Sequence, residues 1–228
     1  MVALTGRANS GSGRSIIGAV IVLVVALVAP PAAAVADRDT EYWSQAQISG
    51  AVGGGVTFTS TVALRHDDDA GRHYYTRMES GLAWAVSTHV AVGVEYAHLN
   101  TRSGDRWALE CRPSLSLTLK GSLGALSVSD RSRFERRIKE EASSTRYRNR
   151  LTLSGPKVTA LGLRPYAEGE IFYDLTGERL EKRRVSGGVA VALRRPLAVT
   201  LYYMLEGRKS GDEWTDVDVL GTTFTYSF

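Results

Sequence analysis

The chain has 228 residues and one cysteine, so a single sizeable domain is expected and a disulfide framework is excluded. Its formal net charge is only +4, with 28 basic and 24 acidic side chains, a near balance that argues against a nucleic-acid protein, which would show a concentrated basic face. Glycines (23) and tyrosines (10) outnumber prolines (6), a balance that suits strands and turns.

The first element in chain order is a leader. Arg7 and Arg14 are its only charged side chains, and an apolar run over residues 16–29 follows. Pro30-Pro31 and a tail of small residues end in Ala34-Val35-Ala36, an A-x-A cleavage site. This is the pattern of a cleaved secretory signal peptide over 1–36, with one exported domain over 37–228. The alternative is a membrane anchor, but the run is shorter than the ~20 residues that span a bilayer as a helix. No cysteine follows the run, which argues against lipoprotein processing. Removing the leader lowers the net charge by two.

Beyond it, period-2 alternation dominates. Alternation predicts strands over 42–52, 56–67, 73–86, 90–101, 106–120, 123–138, 144–154, 158–175, 182–194, 197–209 and 214–228. The clearest is 106–120. Trp107, Leu109, Cys111, Pro113, Leu115, Leu117 and Leu119 share one face, and Glu110, Arg112, Ser114, Ser116, Thr118 and Lys120 the other. No amphipathic helix is read anywhere. The connections alternate between short ones, such as Gly53-Gly54-Gly55, and longer or more charged ones, such as Asp67-Asp68-Asp69-Ala70-Gly71. That rhythm fits short periplasmic turns and longer outer loops, with the chain end in the periplasm.

The fold class predicted is therefore all-β: an antiparallel up-and-down transmembrane β-barrel of 10–12 strands. The parse has eleven strands, whereas bacterial barrels of this kind have an even number. This predicts 10 or 12, with 42–52 outside the wall or a break near Pro165 in 158–175. Two features favour a membrane barrel over a soluble one. First, the polar faces carry rows of opposite charge. Arg131, Arg133, Glu135 and Arg137 lie on one strand, Arg146, Arg148 and Arg150 on the next, and Glu168, Glu170 and Asp174 on the third. Neighbouring strands set guanidinium groups against carboxylates, a pairing suited to a lumen. Second, the last strand alternates apolar residues and ends in Phe224, Tyr226 and Phe228, the pattern of a C-terminal insertion signal read by barrel-assembly machinery. Tyr42, Trp43, Tyr74, Trp107 and Trp214 are candidates for interfacial girdles.

The stretches Tyr147-Arg148-Asn149-Arg150-Leu151, Pro165 to Asp174, Leu201-Tyr202-Tyr203-Met204 and Leu220-Gly221 to Phe228, together with Trp43, resemble the domain-of-unknown-function family 2490. The resemblance covers roughly residues 40–228 and is densest after 145. It implies an outer-membrane barrel surrounded by lipid and lipopolysaccharide, and it brings no activity or catalytic residue.

No H-E-x-x-H, C-x-x-C or P-loop spacing occurs, so no cofactor, metal or catalytic residue is assigned. His66, His73 and His98, with Asp67-Asp68-Asp69, are placed near the outer rim. They offer either a base and acids for a lipid hydrolase or ligands for a divalent cation between lipopolysaccharide phosphates. Ordinary surface residues are the simpler expectation. The Arg/Glu rows leave two readings: a structural plug, or a charged constriction in a narrow channel. A soluble barrel carrying an apolar ligand requires the opposite facing, with Leu115, Leu117 and Leu119 inward and Arg148 outward. Oligomeric state is not legible.

Overall fold

A computed structural model describes residues 40–67, 71–140, 142–158, 162–193 and 196–228. The leader, with Ala34 and Ala36, lies outside them, as do Asp68 and Asp69. Eleven strands form one closed barrel: β1 (Thr40–Gly53), β2 (Val56–Asp67), β3 (Arg72–Ala85), β4 (Val90–Ser103), β5 (Arg106–Leu123), β6 (Leu126–Lys139), β7 (Ser143–Ser154), β8 (Leu163–Asp174), β9 (Arg179–Ala192), β10 (Leu197–Ser210) and β11 (Glu213–Ser227). Each pairs antiparallel with its chain neighbours, as alternating faces and tight turns dictate. No helix occurs among the described residues.

The even strand count does not hold. Residues 42–52 are part of the wall, and β8 contains Pro165 without a break, beginning only at Leu163 after the connection from β7. Both segments count, and the number stays odd. An odd number of up-and-down strands leaves the first and last pointing the same way. Closure is accordingly parallel, from Thr40 opposite Asp218 to Ser49 opposite Ser227. Thr40 therefore starts at one rim and Phe228 ends at the other.

The expected alternation of short and longer connections is also absent. At the Thr40 rim, residues 104–105 and 211–212 are two-residue turns, while the long connection 155–162 lies at the Phe228 rim. What distinguishes the Thr40 rim is its acidic and basic side chains, among them Asp67, Arg72, Asp105, Arg106, Asp212 and Glu213.

Local backbone chemistry explains the irregularities. Gly53, Gly54 and Gly55 all have positive φ, which lets the β1–β2 turn close beside a register shift at Ala51/Gly53. The β5–β6 ladder skips Arg112 and Pro113, because proline has no N–H to donate. A shift between Arg65 and His66 makes Tyr74 an extra residue in β3 and reverses facing beyond it.

Facing follows parity. Leu115, Leu117, Leu119, Phe134, Val185, Leu201 and Phe224 stand exposed on the outer wall, Leu115 at 63%. The lumen face buries Glu41, Glu110, Arg133, Glu135, Arg146, Glu170 and Glu206. This inverts the inside-out rule of soluble proteins. It removes the soluble apolar-ligand barrel, since the three leucines face outward and Arg148 inward. Two girdle assignments are corrected. Trp43 is 8% exposed, on the lumen side of β1 with Gln45 and Gln47. Tyr74, as the extra residue, donates its hydroxyl to the buried Glu41.

Candidate functional site: the charged lumen

Because side chains alternate in a strand, every second residue of each strand enters the lumen. Cross-strand register then decides which charges meet. Arg148 of β7 lies opposite Arg133 on one side and Phe172 on the other, so its guanidinium reaches diagonally to carboxylates on both flanks. It donates to Glu135 at 2.7 Å and to Glu170 at 2.6 Å.

From that centre an unbroken chain of alternating charge runs around the lumen. Glu95 lies 3.8 Å from Arg133, and Arg133 lies 3.5 Å from Glu135. Beyond Arg148, Glu170 meets Arg184 at 3.0 Å and Arg184 meets Glu206 at 2.5 Å. Arg208 then bridges Glu206 (2.5 Å) and Glu41 (2.7 Å). Most of these bonds are charge-assisted and short, the stronger class of hydrogen bond. Glu206, with no exposed surface, also accepts from Lys182 at 2.9 Å. Glu135 further accepts two bonds from Arg146, at 3.0 and 2.5 Å.

Several contacts join strands that are not neighbours, and some of these cross the bore. Arg133 of β6 donates to Glu79 of β3 at 3.0 and 3.1 Å. Arg131 of β6 pairs with Glu95 of β4. Arg137 of β6 contacts Glu181 of β9 at 3.3 Å, besides Glu110 at 2.7 Å. Arg184 of β9 lies 5.0 Å from the ring centre of Trp43 on β1. Phe172, 2% exposed, is a hub: the guanidinium carbons of Arg146, Arg148 and Arg184 lie 5.1, 4.6 and 4.5 Å from its ring centre.

Of the ten charged residues singled out in the sequence, Arg131, Arg133, Glu135, Arg137, Arg146, Arg148 and Glu170 take part in these contacts. Arg150 and Glu168 form a looser pair of their own at 3.6 Å. Asp174 is diverted: it is buried, and its Oδ1 accepts the Thr176 backbone N–H at 3.0 Å, bracing the β8–β9 turn. Sequence reasoning placed Glu110 on the polar face without singling it out and passed over Glu41, Glu79, Glu95, Glu206 and Arg208. Each shares a face with the lumen side of its strand, so parity carried the signal.

Two linked cavities lie in the lumen. The larger, about 380 Å³, is walled by Gln47, Thr61, Thr118 and Arg131, and extends past Ala83 and Lys120 toward the Phe228 rim. The smaller, about 190 Å³, lies between Arg65, Tyr166 and Tyr202. Both share Gln45, Arg77, Arg148, Arg150 and Glu170.

The histidines do not assemble a catalytic centre among the described residues. His66 and His73 are ring neighbours, 5.2 Å apart, and Trp107 lies 5.4 Å from His73. His98 contacts Cys111 at 3.9 Å instead. His73 Nε2 is 3.0 Å from both the Tyr75 carbonyl oxygen and Thr76 Oγ1. A carbonyl only accepts, so in that bond Nε2 carries the proton and is no base for Thr76. Asp67 is held by Arg72 through two bonds, at 2.9 and 2.8 Å. Among the described residues no three His, Cys, Asp or Glu side chains are grouped closely enough to hold a metal ion.

At the chain end, the Phe228 N–H donates to the Ser49 carbonyl at 3.1 Å. The Phe228 ring fills the space where a side chain at Gly50 would stand. Likewise the Tyr202 ring lies over Gly221 on the lumen side.

A closed barrel with an apolar outer wall and a charged bore defines the class: an outer-membrane-like β-barrel. The sequence matches the family described as "Protein of unknown function (DUF2490)" over residues 40–215, and the chain belongs to that family. Solved structures of similar fold include an anion-selective porin from Comamonas acidovorans, at 11% identity and TM-score 0.39, covering 75% of this chain and 53% of the porin. The chain thus spans about half of that porin's length. The β domain of the Bordetella autotransporter BrkA is similar at 13% identity and TM-score 0.45, covering 75% of this chain and 82% of that domain. The siderophore receptor PirA from Pseudomonas aeruginosa follows at 14% identity and TM-score 0.30, covering 72% of this chain and 37% of the receptor. No curated protein matches the sequence.

Proposed function

We propose that the protein is exported by its cleaved leader, spans the bacterial outer membrane, and is closed to bulk solute by its own side chains. On this reading it is a structural envelope barrel and not a general pore. The observation that carries the proposal is the unbroken ion-pair chain from Glu95 to Glu41, with Arg133–Glu79 and Arg137–Glu181 crossing the bore. Barrels of this size leave little free interior once long side chains meet across them. The outer wall, mostly Leu, Val, Phe and other apolar residues, suits hydrocarbon, interrupted by the hydrogen-bonded Asp130, Ser132 and Asn149. Lipid and lipopolysaccharide are then its surroundings. The Phe228 rim is assigned to the periplasm, and the charged Thr40 rim to the cell surface. Phe224, Tyr226 and Phe228 on the last strand serve as the mark for barrel-assembly machinery.

Planar-bilayer recording tests the closure. The folded protein is expected to give no conductance steps. Regular steps at neutral pH would overturn the plug and establish the second reading, a narrow charged channel, which the two linked cavities favour.

A further inference from the structure

We infer that the smaller lumen cavity is a binding site for a compact oxyanion of phosphate type. Five arginines line it against two glutamates. Arg148 and Arg184 are committed to Glu135, Glu170 and Glu206. The other three are not. Arg150 has only Glu168, at 3.6 Å. Arg77 has Glu79 at 3.6 Å, while its Nε is buried without a hydrogen-bond partner. Arg65 has no carboxylate within ion-pair distance among the described residues. Its guanidinium carbon lies 3.6 Å from the ring centre of Trp43 and 4.0 Å from that of Tyr75.

The contacts of Arg65 are informative. Cation–π packing holds a guanidinium in place without neutralising it. With aromatic rings against its faces, the N–H edges stay free to donate, and a planar fork of donors matches an oxyanion. The hydroxyls of Tyr166 and Tyr202 and the amide of Gln45 line the same cavity and make no hydrogen bond within the protein among the described residues. Excess guanidinium charge beside donors without a protein acceptor makes this confined space suited to an anion. An anion reaches the site from the Phe228 rim, through the larger cavity that shares Arg77, Arg148 and Arg150. The inference depends neither on which rim faces the periplasm nor on the bore being shut.

The test is calorimetric titration of inorganic phosphate into the folded protein in detergent micelles, at constant ionic strength with chloride as background. Saturable binding is expected. Arg65→Gln and Arg77→Gln are each expected to weaken it about tenfold or more, as loss of a charge-assisted donor does. Arg65→Lys is expected to weaken it as well, because an ammonium keeps the charge and loses the fork. Arg136→Gln, on the outer wall, is expected to leave it unchanged. Should Arg65→Gln fail to fold, Tyr166→Phe reads the same cavity and is expected to bind several-fold more weakly. Glycerol phosphate in a second arm separates a site for phosphate esters from one for the free ion. Absence of saturable binding at concentrations on the order of 10 mM, a range that still detects weak association, overturns the site. So does phosphate binding that Arg65→Gln and Arg77→Gln leave intact. Conductance steps in a bilayer would remove the closed barrel and leave this result standing.

Discussion

Arg148 and Arg150 are neighbours on one face of one strand and both border the lumen cavities, but they are paired very differently. Arg148 belongs to the proposed plug, the ion-pair network in which Glu135, Glu170 and Glu206 each hold two or more cations. Arg150 faces the cavities, where one glutamate stands 3.6 Å away and a third of the side chain remains exposed. Chemically the two rows are alike. The difference is pairing: in the network each buried guanidinium has a carboxylate at 3.0 Å or less, though Arg148 Nε stays without a partner, and in the cavities the arginines outnumber theirs. A buried ionic network is costly where its members lack partners, so the densely paired region fits the proposed closure. The second holds donors without acceptors, which structure alone does not require.

The largest expected effect attacks the plug. Glu135→Ala takes from buried Arg146 its close partner, leaving only Glu181 at 3.7 Å, and from Arg148 one of its two carboxylates; it is expected to destabilise the barrel by about 3–5 kcal/mol, read by urea unfolding in lipid vesicles. A loss under 1 kcal/mol would erase the distinction between the two regions. Next comes the outer wall beside them. Leu115→Arg puts a charge between outward Val94 and Phe134 and is expected to cost about 2–4 kcal/mol in a bilayer. Little cost in the same assay would mean that this wall does not meet hydrocarbon. At the cavity wall, Gly221→Ala pushes a methyl into the Tyr202 ring and is expected to cost about 1–3 kcal/mol by overpacking. Stability unchanged there would show that the ring moves freely. The smallest effect is expected from Arg150→Gln, about 0–1 kcal/mol, as for other loosely held and partly exposed pairs. A loss matching that of Glu135→Ala would place Arg150 in the plug after all.

The sequence alone determined the strands, their facing and the class of the barrel, because a period of two assigns each residue to a face without knowledge of its neighbours. The alternation in 106–120 separated outward leucines from inward Ser114, Ser116 and Lys120, and the Arg/Glu rows on β6, β7 and β8 were legible from parity. Glu41, Glu95 and Glu206 sat on the same faces and were passed over because each stands apart from the dense rows. Tertiary structure decided what parity cannot carry. Closure needed the total strand count, which set β1 parallel to β11 and put Thr40 and Phe228 at opposite rims. The pairing of Arg133 with Glu79 and of Arg137 with Glu181 depended on distances across the bore. Bulges added further decisions, sending Tyr74 inward to Glu41, while the turn after β8 drew Asp174 away from the network. Each depends on register between segments far apart in the chain, and register is set by turns, bulges and closure together rather than by any one strand.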